Sequence, residues 1–528
     1  MAVNSVDTSM LDDCTDQLPP LNAEDLAWLM RCERRVWLDW RSVQPLEMAP
    51  TADARMRIAL RVAHRRRILA SLEGAEDLSA LPWEERIAQT RHAMQRGAAA
   101  IVGAALEAPV GGRLLRGAPD LLLRRAVAPS GAWTYQPTAI VLHTRPARWD
   151  RLLLDSWRWL VRYAQGGEDD PPGELWLGAN GSGPAFVKRQ TVPLAAFTTQ
   201  VRRAAAIAAR DAPAIWFDND HCPFCPWRAA CDAAARETHD IALLPGLSRR
   251  QGSALRRHGI HRMDQVVTLD AATLASLPDR SAATGARLRL QARALLADQP
   301  LPASVPLPPL PRARLFLDIE SDPQTREPWA FGLAGAPGDR CVIVVGPSSN
   351  GDTARIDDVP VVWVRNVQEG WQRVLNAVHT VSGALAHWGE AERLMLEQSA
   401  DPQTRQDLAP FMIDAQRELN RRVALPVPRL SDQRGGGLKA IARWLGWTWP
   451  SGADHWTLAW EAYQQWRAQP SPADACDTLI PAMTYLAADV EALAAVWRWL
   501  EAFVAKVNAT GASPDWRADR DTATNREC

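Results

Sequence analysis

The chain has almost no excess charge of either sign. Its 60 lysines and arginines nearly balance 61 aspartates and glutamates, for a formal net charge of −1. No overall field therefore attracts nucleic acid, and any surface that binds it must be local. No run of about 18 apolar residues occurs, so no membrane-spanning helix is predicted. The first residues are acidic and polar, unlike a secretory signal, and we expect a cytoplasmic protein.

Tyrosine and phenylalanine are scarce, with 4 and 8 residues, whereas tryptophan reaches 24. Most of these tryptophans are expected in cores, and some could stack on nucleic-acid bases. We find no helicase motif, and Gly435-Gly-Gly437 lacks the strand and helix context of a phosphate-binding loop. A length of 528 residues predicts about three domains.

Two carboxylates lie in an apolar segment, Arg314-Leu-Phe-Leu-Asp318-Ile-Glu320. The apolar run is typical of a buried strand, and residues two apart on a strand point to the same face. Asp318 and Glu320 would then place two like charges on a face that would otherwise be core. Divalent metal ions would explain them, because Mg²⁺ and Mn²⁺ prefer carboxylate oxygens. The alternative is a strand end with two solvated acids.

Further strands and an acid-bearing helix are predicted after this pair. Tyr485 and Asp489 lie four residues apart at the start of a helical pattern that ends near residue 505, so they share one helix face. Glu392 lies between the two acidic segments, and Asp414 ends a predicted strand. The additional strands are predicted at 330–333, 341–345, 361–364, 383–387 and 410–414.

This order of strands, helices and acids resembles the RNase H-like 3′–5′ exonucleases, which have four acidic metal ligands and a tyrosine in the last motif. The resemblance implies that Asp318 and Glu320 form the first motif, and that Tyr485 and Asp489 form the last. It also implies two Mg²⁺ or Mn²⁺ ions that bind the attacking and leaving oxygens of a phosphodiester. Tyr485 would orient the attacking water.

The middle motif departs from the common pattern of that family, in which Asn is followed by Phe-Asp. The corresponding stretch is His387-Trp-Gly-Glu-Ala-Glu392. It is similar to a variant found in RecB-family nucleases, where Glu replaces the Asp. That resemblance implies Glu392 as the third acid, with Asp414 as the alternative.

Three of the eight cysteines are clustered in His221-Cys222-Pro-Phe-Cys225-Pro-Trp-Arg-Ala-Ala-Cys231. In a cytosolic chain this spacing favours a metal site over disulfides, and Cys32 is the best candidate for a fourth ligand. One distant N-terminal Cys with a C-terminal Cys triplet resembles the iron–sulfur nucleases of the RecB family. The resemblance implies a 4Fe–4S cluster on four thiolates. Zn²⁺ on the same four, or with His221, is the alternative.

The segment between these cysteines resembles the PD-(D/E)xK nuclease fold of the RecB family, but part of the active site is missing. His64 matches the motif histidine, and Asp120 matches an acid that binds metal. Ala139 and Val141 stand where the second acid and the lysine are expected. Neither alanine nor valine can hold a metal or activate water.

Two nearby side chains, His143 and Gln136, are the candidates for replacing the missing pair. If neither does so, one carboxylate cannot both hold a metal and activate water. We therefore interpret the N-terminal domain as a degenerate nuclease, kept as a scaffold or as a nucleic-acid-binding module.

A small helical region separates the two nuclease-like parts. Gly246 and Gly259 each precede a helical pattern, which looks like a helix-hairpin-helix unit that presents backbone amides to phosphates. Arg249 and Arg250 lie nearby. A plain helical spacer is the alternative. The Pro-rich segment that follows predicts an extended, semi-rigid linker.

The predicted fold class is α/β multidomain, and the whole order resembles bacterial RecB-like nucleases with a YprB-type RNase H-like C-terminus. The resemblance implies a metal-dependent exonuclease on DNA or RNA, with a separate helicase as a possible partner. The alternative is a noncatalytic nucleic-acid-binding adaptor in DNA repair or defence. The predicted parts are a RecB-like domain (1–239), a helix-hairpin-helix-like domain (240–298), a Pro-rich linker (299–312), an RNase H-like exonuclease domain (313–507) and a disordered tail (508–528).

Overall fold

The computed structural model divides the chain into two compact units. The first unit comprises the described residues of Met1–Pro50, Ala54–Trp216 and Phe224–Trp227. The second unit comprises the described residues of Thr51–Asp53, Phe217–Pro223 and Arg228–Cys528. The structure describes residues 20–41, 50–128, 131–143, 145–167, 171–178, 187–191, 197–208, 210–218, 220–278, 282–323, 325–335, 339–346, 353–381, 383–432, 436–450, 455–469 and 476–511.

The first unit is a mixed α/β structure. Its main sheet has the strand order β2-β3-β6-β7-β8-β9, and a smaller sheet has the order β1-β5-β4. The helices are α1 (Ala23–Leu29), α2 (Glu33–Arg41), α3 (Ala52–Ala70), α4 (Trp83–Arg96), α5 (Arg148–Ala164) and α6 (Phe197–Ala208). The strands are β1 (Leu21–Asn22), β2 (Glu76–Asp77), β3 (Ala100–Val102), β4 (Leu106–Val110), β5 (Arg113–Gly117), β6 (Leu121–Val127), β7 (Trp133–Val141), β8 (Glu174–Gly178) and β9 (Val187–Thr191).

Helix α5 supplies much of the core of the first unit. Trp157, Leu160 and Val161 are each at most 2 % exposed, and each such side chain contributes about 2 kcal/mol by burial. The antiparallel pairing of β6 with β7 places Leu121 opposite Thr138. Asp120, which immediately precedes β6, therefore lies beside the end of β7.

The second unit contains a seven-stranded mixed sheet in the order β14-β15-β13-β12-β11-β16-β17, and a two-stranded sheet of β10 and β18. Its helices are α7 (Arg228–Glu237), α8 (Arg249–Arg257), α9 (Met263–Thr268), α10 (Ala271–Ala275), α11 (Ala282–Ala297), α12 (Val367–Val381), α13 (Ala391–Ser399), α14 (Pro402–Leu408), α15 (Ala415–Arg422), α16 (Leu438–Trp444), α17 (Trp456–Arg467) and α18 (Ile480–Thr510). Its strands are β10 (Leu301–Pro302), β11 (Ala313–Ser321), β12 (Pro328–Ala334), β13 (Arg340–Val345), β14 (Thr353–Ile356), β15 (Val359–Val364), β16 (Ala384–His387), β17 (Met412–Asp414) and β18 (Val423–Ala424).

In the seven-stranded sheet, a strand overlaps each position predicted from the sequence, and β12 and β15 each begin two residues earlier than predicted. Strand β14 of that sheet was not predicted, nor were the short strands β10 and β18. The segment predicted as 410–414 is a strand only over Met412–Asp414, because a 3₁₀ turn occupies Ala409–Phe411. The small helical region belongs to the second unit, where α8 and α9 follow Gly246 and Gly259. These two glycines have positive φ angles of 73° and 76°, a conformation that glycine adopts without steric cost.

Helix α18 packs directly over strand β11 and its neighbour β12, the central strand of the sheet. Asp318 lies opposite Gly332, and Glu320 lies opposite Ala330. A Cβ atom at Gly332 would come within 2.8 Å of Leu486 on α18. The absence of a side chain therefore allows the helix to approach the strand closely beside the two acids.

One segment, Cys476–Thr510, has the length and apolar composition of a membrane span, with 72 % of its apolar window buried inside the protein. A helix that is apolar all round and buried is typical of the core of a large protein. Helix α18 ends at Thr510 rather than near residue 505, because Gly511 takes a φ of 69° and donates its N–H to Val507.

The Pro-rich segment is packed against the second unit rather than acting as a spacer. Leu301–Pro302 pairs with Val423–Ala424, and Leu307 is 3 % exposed. The Asn508 side chain accepts a hydrogen bond from the Leu307 N–H (2.7 Å) and donates one to its carbonyl (3.1 Å). The start of the predicted tail is therefore helical and held in place, and its residues from 512 onward lie outside the described residues.

Candidate active site

Four carboxylates from three elements of the second unit converge on one site. Strand β11 carries Asp318 and Glu320, which are half-buried. Helix α13 carries Glu392, which is 5 % exposed, and α18 carries Asp489, which is 4 % exposed. Three separate segments of the chain therefore contribute negative charge to one place. The first and last of these acids, Asp318 and Asp489, are more than 170 positions apart in the sequence.

The charges of these acids act on one another. Burial raises the pKa of Asp318 well above its usual value, and the negative charges of Asp489 and Glu392 raise it further. The pKa of Glu320 is raised in the same direction, first by burial and then by Asp318 and Asp489. Like charges in a poorly hydrated site disfavour ionisation of one another. Positive charge in the site would therefore favour the ionised forms of Asp318 and Glu320.

One cation, Lys439, lies among the acids and was not predicted from the sequence as a site residue. Its Nζ donates to the Tyr485 hydroxyl at 2.9 Å and lies 3.3 Å from Asp489 Oδ2. It also lies 4.1 Å from the centre of the Tyr485 ring. Lys439 is the second residue of helix α16, whose N-cap is Gly437.

Composition contains a signal that could have identified Lys439. The chain has only three lysines among its 60 basic residues, at 188, 439 and 506, and uses arginine elsewhere. A lysine ammonium is a compact point charge, whereas the arginine guanidinium is a wide planar fork. A narrow space between a phenol and a carboxylate favours the smaller group.

Tyr485 and Asp489 form a hydrogen-bonded network with this lysine. Asp489 Oδ1 accepts from Trp449 Nε1 at 2.5 Å. Burial raises the pKa of Tyr485 well above its usual value, and nearby Asp489, with which it is hydrogen-bonded, and Glu320 raise it further. The phenol therefore stays protonated, so it can orient a ligand by a hydrogen bond but cannot act as a base near neutral pH.

Glu392 retains an acceptor that the protein does not use. Its Oε2 lies 3.5 Å from His387 Nδ1, and neither atom has a hydrogen-bond partner in the part of the chain that the structure describes. Leaving a buried polar group without a partner costs about 1–3 kcal/mol. Such an atom fits a ligand that binds to the carboxylate from within the site.

Asp414 has a different role in the structure. Its Oδ1 accepts from the backbone N–H groups of Gly389 and Arg417, each at 3.1 Å, so it caps the N-terminus of α15.

We expect Glu392→Gln to reduce cleavage more than Asp414→Asn does. Glu392 lies within the acidic site, whereas Asp414 is used to cap a helix, and removing a cap mainly costs about 1 kcal/mol of stability. Single-turnover cleavage rates and thermal unfolding of both variants provide the test. A slower cleavage rate for Asp414→Asn than for Glu392→Gln would identify Asp414, and not Glu392, as the third acid of the site.

The donors of the acidic site fit Mg²⁺ or Mn²⁺. Four carboxylates face one ammonium group, and divalent ions supply the missing positive charge through oxygen ligands. Among the described residues, no three His, Cys, Asp or Glu side chains are drawn together closely enough to hold a metal ion as they stand.

The first unit has a cavity of about 380 Å³ around Asp120. Asp120 lies 3.2 Å from Arg65 Nε and accepts from the Ile140 N–H at 2.8 Å. Burial raises the pKa of its carboxyl group. Ala139 and Val141 line the same cavity, so the positions expected to hold a second acid and a lysine face it with apolar side chains.

Two further acids that were not predicted from the sequence also line this cavity, Glu24 and Asp150. Loss of hydration raises the pKa of Glu24 to about 7, with contributions from the charges of Asp25 and Asp120. Asp150 Oδ2 lies 2.5 Å from His143 Nε2.

The other predicted residues of this part are engaged in contacts of their own. His143 is engaged with Asp150. Gln136 lies in β7 opposite Leu123. His64 is 7 % exposed and its Nδ1 lies 3.2 Å from Arg67. The arrangement offers no evident replacement for the missing acid and lysine among these three side chains.

The four cysteines of the predicted cluster belong to different units. Cys32 and Cys225 lie in the first unit, and Cys222 and Cys231 lie in the second. Two sulfurs accept backbone hydrogen bonds, Cys32 from the Arg35 N–H at 3.4 Å and Cys222 from the Asp218 N–H at 3.2 Å. Hydrogen bonds to sulfur are among the features that tune iron–sulfur clusters.

The basic side chains of the small helical region, Arg249 and Arg250, are exposed at the start of α8. Ser248 caps this helix, accepting from the Gln251 N–H at 3.3 Å. An exposed helix start with arginines is compatible with phosphate contacts, and equally with a spacer.

Comparison with protein-family models and with curated proteins finds no match to this chain. The function is therefore argued from the residues and their geometry.

Proposed function

We propose that this chain is a metal-dependent 3′–5′ exonuclease with an RNase H-like catalytic domain, which hydrolyses phosphodiester bonds of DNA or RNA. One observation carries the proposal. Asp318, Glu320, Glu392 and Asp489 come from one strand and two helices, yet their charges act on one another in a single site beside Tyr485. Such a concentration of buried like charge is costly for folding, and a two-metal site accounts for it.

The roles of the side chains follow from their protonation and contacts. Two divalent ions on the four carboxylates would supply charge stabilisation for the attacking and leaving oxygens of the phosphodiester. Tyr485 remains a phenol and donates a hydrogen bond, so we assign it to orienting the attacking water. Lys439 is a positioning residue, because it holds the Tyr485 hydroxyl and the Asp489 carboxylate together.

The test is digestion of labelled oligonucleotides by the full chain with Mg²⁺ or Mn²⁺, using DNA and RNA side by side. Labels at the 5′ and 3′ ends establish polarity, because a 3′–5′ exonuclease produces a ladder from a 5′ label and mononucleotide from a 3′ label. Tyr485→Phe should slow cleavage while leaving metal binding intact. Absence of metal-dependent cleavage on every substrate would favour the noncatalytic adaptor.

The first unit is assigned a binding role without cleavage. Full-length Asp120→Ala should keep the exonuclease rate within about twofold of the wild type, since Asp120 is paired with Arg65 and the positions expected to hold the second acid and the lysine are Ala139 and Val141. Rates on the same labelled substrate measure this. Metal-dependent cleavage that persists in Asp318→Ala and is lost on adding Asp120→Ala would instead show a second working site.

We also propose that Cys32, Cys222, Cys225 and Cys231 hold a 4Fe–4S cluster, with Zn²⁺ as the alternative metal. The spacing of the cysteines and the backbone hydrogen bonds to two of the sulfurs support a thiolate site. A cluster would act as a structural cross-link between distant parts of the chain.

Protein purified without oxygen should therefore be brown and contain about four iron atoms per chain. Cys32→Ala should bleach the colour and lower thermal stability, because one of four ligands is lost. Cys341→Ala, which changes a cysteine outside the cluster motif, is the matched control. Metal analysis that finds stoichiometric zinc and no iron would exclude the cluster but retain the metal site.

A further inference from the structure

Helix α3 carries a concentration of positive charge that the whole chain lacks. Its 19 residues include one acid, Asp53, and six arginines, at 55, 57, 61, 65, 66 and 67. The formal charge of the helix is therefore +5, in a chain whose net charge is −1. A local field of this kind attracts polyanions although the protein as a whole does not.

Three of these arginines form a row on one side of the helix. Arg57, Arg61 and Arg65 are spaced by four residues, so they share the side that also bears the buried His64 and Ile68. Arg57 and Arg61 are nevertheless exposed. The exposed guanidinium groups of Arg57 and Arg61 thus lie on this side of α3 between the buried residues Ala54 and His64.

The row leads into the cavity of the first unit. Arg65 lines that cavity beside Asp120, together with Arg86 from α4. Arg61 lies 5.7 Å from the centre of the Phe224 ring. Its pKa is lowered by loss of hydration, partly offset by the charge of Asp150, which also lines the cavity. Arg61 is therefore close to the mouth of the cavity.

Two apolar side chains flank the row. Ile58 and Val62, four residues apart, are 39 % and 50 % exposed. A surface that alternates cations with apolar contacts suits a flexible strand whose phosphates and bases are both accessible. The cavity, at about 380 Å³, is of the size that encloses a small ligand rather than a base pair within a duplex.

We propose that the row Arg57, Arg61 and Arg65 binds the phosphodiester backbone of single-stranded nucleic acid, with the strand end directed into the Asp120 cavity. Successive row positions are separated by a rise of about 6 Å along the helix, which suits successive phosphates of an extended strand. Guanidinium groups bind phosphate oxygens in a bidentate manner. The inference rests on the proposed function, because it specifies how the noncatalytic unit holds the substrate.

The test uses the full chain carrying Asp318→Ala, with chelator present, so that binding is measured without digestion. Fluorescence anisotropy of a labelled oligothymidylate is recorded over a range of salt concentrations. Arg57→Ala/Arg61→Ala should weaken binding at low salt at least about tenfold. It should also reduce the slope of log K against log salt by about 1.4, for two contacts at about 0.7 each.

Arg66→Ala/Arg91→Ala is the matched control, because both residues are exposed, lie on α3 and α4, and change the net charge equally. Arg57→Lys/Arg61→Lys should restore the salt slope, which separates lost charge from misfolding. A salt slope for Arg57→Ala/Arg61→Ala equal to that of the control would overturn the proposal. So would binding to anionic phospholipid vesicles without binding to the oligonucleotide, which would make α3 a membrane-surface helix.

This result is independent of the catalytic test. If the wild type digests nothing with Mg²⁺ while the arginine row binds DNA, the exonuclease proposal fails and the binding surface stands. If digestion is normal and the two double-alanine variants behave alike, the row is not the binding surface.

Discussion

Asp318→Ala is expected to abolish metal-dependent cleavage, with a rate at least about a thousandfold below the wild type. Charge stabilisation by bound divalent ions is worth several kcal/mol in the transition state, and each 1.36 kcal/mol corresponds to a factor of ten. Asp318 lies on strand β11, and its charge acts together with those of Glu392 and Asp489. Loss of this carboxylate removes the ligand most central to the set.

Removing the charge of Asp318 should have the opposite effect on stability, which we expect to increase. In the presence of chelator, Asp318→Asn should raise the free energy of unfolding above pH 7, because it removes a negative charge that its neighbours repel. Denaturant unfolding and labelled-oligonucleotide digestion on one preparation measure both effects. Glu397→Ala is the control, since Glu397 lies on α13 with Glu392 but its side chain is 48 % exposed. Wild-type activity in Asp318→Ala would refute the assignment of the active site.

Lys439→Met is expected to lower both activity and metal-free stability. Removing one partner of a buried ion pair costs about 3–5 kcal/mol. Because the Lys439 side chain is 28 % exposed, we discount this to about 2 kcal/mol in chelator. Mg²⁺ should restore much of the loss, because ions that bind the folded state stabilise it by mass action. Cleavage should fall about a hundredfold, since Tyr485 loses its positioning partner.

A double-mutant cycle separates the electrostatic role of Lys439 from simple packing. Asp489→Asn in the Lys439→Met background should recover stability in chelator, because the uncompensated charge is removed. Lys506→Met, which changes an exposed lysine on α18, should have little effect on either measurement. An equal loss of stability for Lys439→Met in Mg²⁺ and in chelator would show that the lysine is not the counter-charge of the acids.

The sheet of the second unit was largely predictable from local pattern. The strand that bears Asp318 and Glu320 is a short apolar run, and strand formation depends on the alternation of neighbouring residues. Strand β14 was missed because Thr353–Ile356 is short and lacks a continuous apolar run. The packing of the Pro-rich segment was also missed, because Leu307 is buried through contacts with residues about 200 positions away.

The presence of acids on the inward faces of these elements was predictable, but the balance of charge around them was not. Asp318, Glu320 and Asp489 stand out in sequence because acids are unexpected on apolar faces. Lys439 does not stand out in this way, since one lysine at the start of a short helix has no periodic context. Only the folded chain brings it to 3.3 Å from Asp489.

By itself the sequence determined which elements carry the acids, because strand and helix periodicities depend on neighbouring residues. It also determined that Ala139 and Val141 cannot hold a metal, because that follows from their side chains alone. Tertiary structure decided that Asp414 caps a helix, that Glu24 and Asp150 share a cavity with Asp120, and that Lys439 pairs with Asp489. These relations depend on distances between segments remote in the chain, and such distances arise only when the chain packs.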